Sequence, residues 1–224
     1  MSYRQSFIEF MVRSSVLTFG DFTTKSGRKT PYFINTGNYR TGAQIAELGR
    51  YYAAAIAERF GDRFDVLFGP AYKGIPLAVI SAAQLFAVHG IDRAFCFNRK
   101  EAKDHGEGGL LVGQPLRDGD RVLIVEDVTT AGTSLRETIP LLQAAAKVTI
   151  AGLVVSVDRM ERGTGDRSAL AEVQEAFGFP AHPIVTLRDI VDHLHGRAVD
   201  GKVAIDDAMK ARIEEYARTY GPRV

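Results

Sequence analysis

Cysteine, net charge and long apolar runs are all scarce in this chain of 224 residues. The one cysteine, Cys96, cannot form an internal disulfide or a cysteine-rich zinc site. No continuous apolar stretch approaches the roughly 18 residues of a membrane span. The first apolar residues are interrupted by Arg4, Glu9 and Arg13, unlike a signal peptide. These absences predict a cytoplasmic protein with no membrane partner.

The charge balance excludes a second group of partners. Lys and Arg number 28 and Asp and Glu number 27, which gives a formal net charge of +1. Such a balance supplies no global attraction for nucleic acid, so we expect no nucleic-acid partner. Any binding of an anion must come from a local cluster. The length and the lack of repeats or linkers predict a single domain, residues 1–224.

Short apolar runs alternate with helical segments along the chain. The runs at 66–68, 94–97, 122–125 and 148–157 are unbroken, which is typical of strands buried on both faces of a parallel sheet. Helices are predicted at 3–13, 41–60, 74–88, 133–146, 168–178, 186–195 and 203–220, and short strands at 19–23 and 31–34. The pattern predicts an α/β fold with helices on both sides of the sheet. Ligands of such sheets bind beyond the carboxyl ends of the strands.

The first of these strand ends carries GPAYKGIP at 69–76. Two glycines and Lys73 lie between a strand and a helix, an arrangement that can cradle a phosphate. An ordinary tight turn with a solvated lysine is the alternative. The next strand end carries NRKEAKDHGEGG at 98–109, where dense charges and glycines predict a mobile loop. Its basic residues could clamp a polyanion, or the segment could be a plain surface loop.

The strongest local pattern is EDVTTAGTS at 126–134. Two acids end an apolar strand, and small hydroxyl residues open a helix whose N–H groups could bind an anion. The carboxylates could accept hydrogen bonds from sugar hydroxyls or reach Mg²⁺ through water. Ser134 and Glu137 are predicted to cap that helix. Exposed turn acids are a poor alternative, because acids on a buried strand end are costly when unpaired.

A fourth strand end carries DRMERG at 158–163. Arg159 is placed to bind a planar carboxylate with two nitrogens, or else to pair with Asp158 or Glu161. The histidines give no metal pattern. We interpret His193 and His195 as surface residues. Structural or solvent roles are expected for the histidines His89 and His182 and for the cysteine Cys96.

The order of these motifs resembles a known family. VLIVEDVTTAGTS at 122–134 resembles the phosphoribosyl-pyrophosphate (PRPP) motif of the type I phosphoribosyltransferases. NRKEAKDHGEGG is similar to the catalytic loop of the orotate phosphoribosyltransferase family, and FTTKSGRKTPYFINTG at 22–37 to its orotate-binding region. GPAYKGIP and DRMERG fit the same family. Glu126 and Ile34 depart from it, since aspartate and an aromatic residue are frequent there.

The resemblance implies a type I phosphoribosyltransferase fold with a small N-terminal hood, roughly residues 1–40. It implies transfer of phosphoribose from PRPP to orotate, with Mg²⁺ carried by PRPP rather than bound by a protein cage. It also implies a homodimer that shares the 98–109 loop between subunits.

The implied site residues fall into three groups. The catalytic group is Lys73, Lys103, His105 and Asp127. The PRPP group comprises Lys25, Tyr72, Lys73, Arg99, Lys100, Lys103, His105, Glu126, Asp127, Val128, Thr129, Thr130, Ala131, Gly132, Thr133 and Ser134. The orotate group is Phe33, Ile34, Thr130 and Arg159.

Two alternatives remain. A purine-type phosphoribosyltransferase would share the acid motif but not the segments at 98–109 and 22–37. A non-catalytic regulator that senses PRPP would be expected to lose the basic residues of the loop or to gain a basic face.

Overall fold

The computed structural model of the chain describes residues 1–24, 27–103, 109–128 and 133–223, with the side chains of 102, 103, 109 and 133 left out. The helices are α1 (Tyr3–Arg13), α2 (Gly42–Arg59), α3 (Gly74–His89), α4 (Thr133–Ala145), α5 (Ala169–Phe177), α6 (Leu187–Leu194) and α7 (Asp207–Tyr220). The strands are β1 (Leu17–Thr23), β2 (Lys29–Ile34), β3 (Val66–Gly69), β4 (Ala94–Lys103), β5 (Gly109–Gly113), β6 (Arg121–Glu126), β7 (Thr149–Asp158), β8 (Ala181–Thr186), β9 (Ala198–Val199) and β10 (Lys202–Val203).

Six strands form the central sheet in the order β5-β4-β3-β6-β7-β8. The pairs from β4 through β8 are parallel, and β5 joins β4 antiparallel. After β3 the chain adds β4 on one side and later β6 on the other, so the strand order reverses between β3 and β6. A crevice forms beyond the carboxyl ends of strands at such a reversal. The predicted α/β class is therefore confirmed, and the turn after β3 lies next to the acids after β6.

Both faces of the sheet are buried, as the unbroken apolar runs predict. In β6, Leu123 and Val125 belong to one apolar cluster while Val122 and Ile124 belong to the other. Successive side chains of a strand point to opposite faces, which explains this division. Helices α1, α2, α3, α6 and α7 contribute to the first cluster, and α4 and α5 to the second.

The N-terminal part forms a small layer of its own beside the sheet. Helix α1 begins after a capping box made by Ser2 and Gln5, and its Phe7 and Met11 enter the first apolar cluster. Strands β1 and β2 pair antiparallel in a separate two-stranded sheet, against which α7 packs. The predicted capping box of Thr41 and Gln44 is present at the start of α2.

Several predicted boundaries need correction. Residues 98–103 were predicted as loop but continue β4, because they pair with β5 across the sheet edge. Strands β5 and β8 were not predicted. The last helix starts at Asp207 rather than 203, because Asp206 caps it and residues 202–203 pair with β9.

Candidate functional site

The two acids at the end of β6 are fixed through their backbone carbonyls. Tyr52 of α2 donates its hydroxyl to the Glu126 carbonyl at 2.5 Å. The Ser156 N–H of β7 donates to the Asp127 carbonyl at 2.8 Å, and the Ser156 hydroxyl donates to the same oxygen. Because neighbouring elements hold the carbonyls, both carboxylates project from a rigid strand end.

The Glu126 carboxylate is the buried member of the acid pair. The residue is 9% exposed, and the Ser134 hydroxyl donates to its Oε1 at 2.6 Å. Burial, with the nearby charge of Asp127, raises the pKa of Glu126 above its ordinary value despite the Ser134 bond. Ser134 is the second residue of α4 and binds Glu126, so the predicted capping role of Ser134 is wrong.

Lys73 and Asp127 meet across the crevice between β3 and β6. Lys73 Nζ lies 2.9 Å from Asp127 Oδ2 and 3.1 Å from Thr36 Oγ1. Thr36 donates its hydroxyl to the same Asp127 oxygen at 2.8 Å. The predicted catalytic pair is thus brought into direct contact, with Thr36 as a third member.

The turn after β3 requires its two glycines. A Cβ at Gly69 would stand 2.0 Å from the Gly74 carbonyl oxygen, a separation that no side chain tolerates. The Ala71 N–H donates to Asn98 Oδ1 at 2.8 Å, which ties the turn to β4. The peptide bond between Ala71 and Tyr72 is cis. The turn therefore presents Lys73 at the start of α3 beside the acid pair.

Three of the four basic residues predicted to clamp an anion, Arg99, Lys100 and Lys103, lie on β4. Lys100 Nζ lies 5.6 Å from the ring centre of Tyr72, whose side chain is 69% exposed. Arg99 precedes it, and Lys103 ends the strand. This strand and the turn after β3 therefore flank the same crevice.

Several predicted site residues lie outside the described residues: Lys25, His105, Thr129, Thr130, Ala131 and Gly132. The side chains of Lys103 and Thr133 do so as well. Val128 directly follows the acid pair in the described chain.

The predicted orotate residues belong to β2 and to the end of β7. Phe33 is 39% exposed and stacks on Phe22 at 5.5 Å. Ile34 packs against the first apolar cluster. Because neighbouring strand residues point to opposite faces, β2 does not place both side chains on one surface.

Arg159 is 14% exposed and pairs with Glu161, as one alternative from the sequence holds. Its Nε donates to Glu161 Oε1 at 2.9 Å, and its guanidinium carbon lies 5.0 Å from the Tyr32 ring centre. The contact does not exclude binding of a ligand, because Nε occupies only one edge of the guanidinium.

Sequence reasoning missed Thr36, Tyr52, Ser156, Tyr32 and Tyr216. Thr36, Tyr52 and Ser156 hold the acid pair, and Tyr32 and Tyr216 donate to Glu161. Their contacts join elements far apart in the chain, so no local pattern signals them.

The histidine interpretation needs one correction. His193 is 7% exposed, and its Nε2 lies 3.1 Å from Glu9 Oε1, so the surface prediction is wrong. Helix α6 packs on α1, and Glu9 offers a carboxylate in that contact. His195 remains partly exposed and pairs with Asp207. Burial raises the pKa of the Cys96 thiol to about 12, in keeping with a structural role.

The described residues contain no group of three or more His, Cys, Asp or Glu side chains arranged to hold a metal ion. Among the described helices, none is long and apolar enough to cross a membrane.

Comparison with known proteins agrees with the site geometry. The family described as "Phosphoribosyl transferase domain" matches residues 35–183. An orotate phosphoribosyltransferase of Clostridium acetobutylicum is 60% identical over 98% of both chains. One of Lachnoclostridium phytofermentans is 58% identical over 98% of this chain and 97% of its own.

A solved structure extends the similarity to three dimensions. The orotate phosphoribosyltransferase of Francisella tularensis superposes with a TM-score of 0.83 at 37% identity, over 96% of this chain and 99% of that one. The acid pair, the lysine turn and the strand order thus occur in a chain whose relatives named above are all orotate phosphoribosyltransferases. The chain belongs to the phosphoribosyl transferase family and, within it, to the orotate phosphoribosyltransferases.

Proposed function

We propose that this protein transfers the 5-phosphoribosyl group of PRPP to orotate, giving orotidine 5′-monophosphate and pyrophosphate in the synthesis of UMP. The observation that carries the proposal is the meeting of Lys73 with the Glu126–Asp127 pair at the strand reversal. A cation beside two acids suits a sugar that bears a pyrophosphate, since each charge meets a different part of the substrate. The chain is proposed to act as one domain in the cytoplasm.

The PRPP contacts are proposed from the strand ends. Glu126 and Asp127 hold the ribose hydroxyls, Val128 contacts PRPP beside them, and residues 129–134 cradle the 5′-phosphate at the start of α4. Tyr72 and Lys73 contact the pyrophosphate from the turn after β3. The remaining proposed contacts come from Lys25, Arg99, Lys100, Lys103 and His105.

The Lys73–Asp127 contact has a consequence for binding. Lys73 Nζ and Asp127 Oδ2 lie 2.9 Å apart, so the two side chains neutralise each other. Binding of PRPP would exchange this contact for one between Lys73 and pyrophosphate and one between Asp127 and a ribose hydroxyl. As the anomeric bond breaks, negative charge grows on pyrophosphate, and Lys73 and Lys103 stabilise it.

Mg²⁺ fits these residues as a companion of PRPP. Two adjacent carboxylates are too few for a protein cage, but Mg²⁺ commonly binds one or two carboxylates together with substrate phosphates and water. Glu126 and Asp127 would hold it through water. Its chemistry would be to neutralise charge on the departing pyrophosphate.

Orotate is proposed to bind between β2 and the end of β7. Arg159 would take its carboxylate, the exposed ring of Phe33 would line the pocket, Ile34 would support β2 from the opposite face, and Thr130 would add a contact. Arg159 is buried beside the aromatic ring of Tyr32, where a charged hydrogen bond is stronger than in water.

The activity is tested by following orotate loss in the ultraviolet with PRPP and Mg²⁺ present. Turnover that needs both, and that is abolished in Lys103→Ala, supports the proposal. Preference for hypoxanthine, guanine or adenine would favour the purine-type alternative. PRPP binding without turnover of any base would favour the regulator, which has no support among the relatives named above.

We also propose a homodimer that shares the 98–109 segment between subunits. Support comes from α3, which exposes an apolar stripe of Val79, Ala83 and Phe86 at helical spacing. Phe86 is 63% exposed, which is unusual for so large an apolar side chain. A second copy of the chain would cover this stripe.

Mixing two inactive variants tests the sharing. A Lys73→Ala subunit paired with a Lys103→Ala subunit has one intact site if Lys103 acts in the partner's site. Random exchange of a two-fold dimer would then restore about a quarter of the wild-type activity. No recovery, with exchange verified by mass-tagged subunits, would mean that Lys103 acts in its own subunit.

A further inference from the structure

Glu161 is the most heavily bonded carboxylate among the described residues near the site. Its side chain is 11% exposed. Oε2 accepts from Arg28 Nη2 at 2.5 Å, while Oε1 accepts from Tyr32 Oη at 3.1 Å, from Arg159 Nε at 2.9 Å and from Tyr216 Oη at 2.8 Å. These donors come from β2 and the turn before it, the segment after β7, and α7. One carboxylate therefore joins three separate parts of the chain.

Arg159 is held on its edge and on its face by this cluster. Glu161 takes Nε, and the guanidinium lies over the Tyr32 ring. Nη2 lies 2.6 Å from the same Glu161 oxygen and forms an ion pair with it. Glu161 therefore faces one edge of the guanidinium and fixes its orientation.

The charges of the cluster add to a defined total. Arg28 and Arg159 carry two positive charges and Glu161 carries one negative charge, which leaves +1. Burial alone would raise the pKa of Glu161, but the charge of Arg159 and the donated bonds outweigh it and keep the carboxylate ionised. These three side chains keep a net positive charge toward a carboxylate-bearing base, with Asp158 as the neighbouring acid.

We infer that Glu161 and Tyr216 are positioning residues for Arg159, and that α7 thereby sets the affinity and selectivity of the enzyme for a carboxylate-bearing base. The inference rests on the proposed function, because it takes Arg159 as the orotate contact. It assigns a role to α7, which lies beyond the matched residues 35–183. Tyr216 acts at a distance by fixing the Glu161 oxygen that holds Arg159.

The test compares two tyrosines on the same helix. Tyr216→Phe removes the hydroxyl that donates to Glu161. Tyr220→Phe makes the same change one turn later. The Tyr220 ring centre lies 4.8 Å from that of Tyr216, but its hydroxyl is not among the donors to Glu161. We expect Tyr216→Phe to raise KM for orotate about three- to tenfold, with kcat and KM for PRPP within about twofold, and Tyr220→Phe to change none of them.

Selectivity and coupling separate positioning from plain stability. Glu161→Gln should lower the preference for orotate over uracil, which has no carboxylate, by about tenfold or more. Combining Tyr216→Phe with Arg159→Ala should raise KM for orotate no further than Arg159→Ala alone. Equal losses with orotate and PRPP, additive effects, or an unchanged KM in Tyr216→Phe would each overturn the inference.

The proposed function fails in a different way. If the wild type does not use orotate, or Arg159→Ala leaves KM for orotate unchanged, the assignment of Arg159 fails and this inference falls with it. If Arg159→Ala behaves as proposed and Tyr216→Phe has no effect, only the positioning role is overturned.

Discussion

Two acidic strand ends of one sheet are stabilised in opposite ways. At the end of β6, Glu126 receives a hydroxyl bond from Ser134, and its pKa lies above the ordinary value. Beyond the end of β7, Glu161 receives four donated bonds, and its pKa lies below the ordinary value. Both residues are largely buried, so burial alone does not separate them.

The difference lies in the neighbouring charge, Arg159 beside Glu161 against Asp127 beside Glu126, and in how much acceptor capacity each carboxylate has left. A carboxylate with spare lone pairs in a crevice is costly by itself and is suited to a ligand that donates to it. A carboxylate whose lone pairs are taken up by protein donors acts as an anchor. The β6 end is therefore organised for a substrate, and the β7 end for holding other side chains in place.

The largest expected effect comes from removing the anchor. Glu161→Ala leaves Arg28 and Arg159 without their shared carboxylate in a mostly buried site. Removing one partner of a buried ion pair costs about 3–5 kcal/mol of unfolding free energy. Urea unfolding of the variant measures the loss. Glu215→Ala on α7 is the control, because its pair with Arg218 is 68% exposed and should contribute under about 1 kcal/mol. Equal losses in both variants would remove the distinction between anchor and surface pair.

The next effect falls on catalysis and leaves stability alone. Lys73 is 65% exposed, so Lys73→Ala should leave the unfolding free energy nearly unchanged. Its loss from the pyrophosphate should lower kcat by about 10²–10³, by analogy with removal of one oxyanion-hole donor. Steady-state kinetics measures this, with Lys210→Ala on α7 as a lysine control away from the crevice. A large fall in stability would place Lys73 among the structural residues.

The two glutamates should also respond oppositely to pH. The lowered pKa of Glu161 means that its stabilising contribution is present above its unfolded value near 4.5 and is lost as the pH falls through the folded pKa. The raised pKa of Glu126 means that its ionisation costs stability as the pH rises above the unfolded value near 4.5. At pH 7, Glu161→Gln should lower the unfolding free energy and Glu126→Gln should raise it.

Urea unfolding between pH 7 and pH 4 measures both differences from the wild type. Each should be largest at pH 7 and shrink towards pH 4, with opposite signs. Differences of the same sign would mean that the donors at Glu161 do not outweigh its burial.

Part of the fold and of the candidate site could be predicted from sequence, because the patterns that mark it are local. Unbroken apolar runs such as 122–125 identify strands buried on both faces, and the acids that follow them must lie at the carboxyl edge. The glycines around Lys73 predicted a tight turn, and the Cβ separation at Gly69 gives its physical cause. The sheet class and the place of the acids follow from these local patterns, whereas the strand order came from the structure and the roles of Lys73 and Asp127 from the family resemblance.

The rest depends on contacts between distant segments. Residues 98–103 are polar and read as loop, yet pairing with β5 makes them strand. Tyr216 has no local pattern that marks it, because its partner Glu161 is 55 residues away in sequence. Thr36 lies in the segment 22–37, but nothing in that segment signals its contact with Asp127, 91 residues away. His193 is buried where α6 packs on α1, and it pairs there with Glu9.

The smallest expected effect concerns Thr36, whose hydroxyl contacts both Lys73 and Asp127. Thr36→Val keeps the shape but removes the hydroxyl that donates to Asp127 and accepts from Lys73. A hydrogen bond in a partly exposed site contributes about 1 kcal/mol, so KM for PRPP should rise about fivefold. KM for orotate should stay unchanged, because Thr36 contacts neither Arg159 nor Glu161. Thr149→Val is the matched control, since it makes the same change at the exposed start of β7, at the opposite end of the strand from the crevice. A rise in KM for orotate with no change for PRPP would mean that Thr36 acts on the base side, and that the two strand ends are not independent.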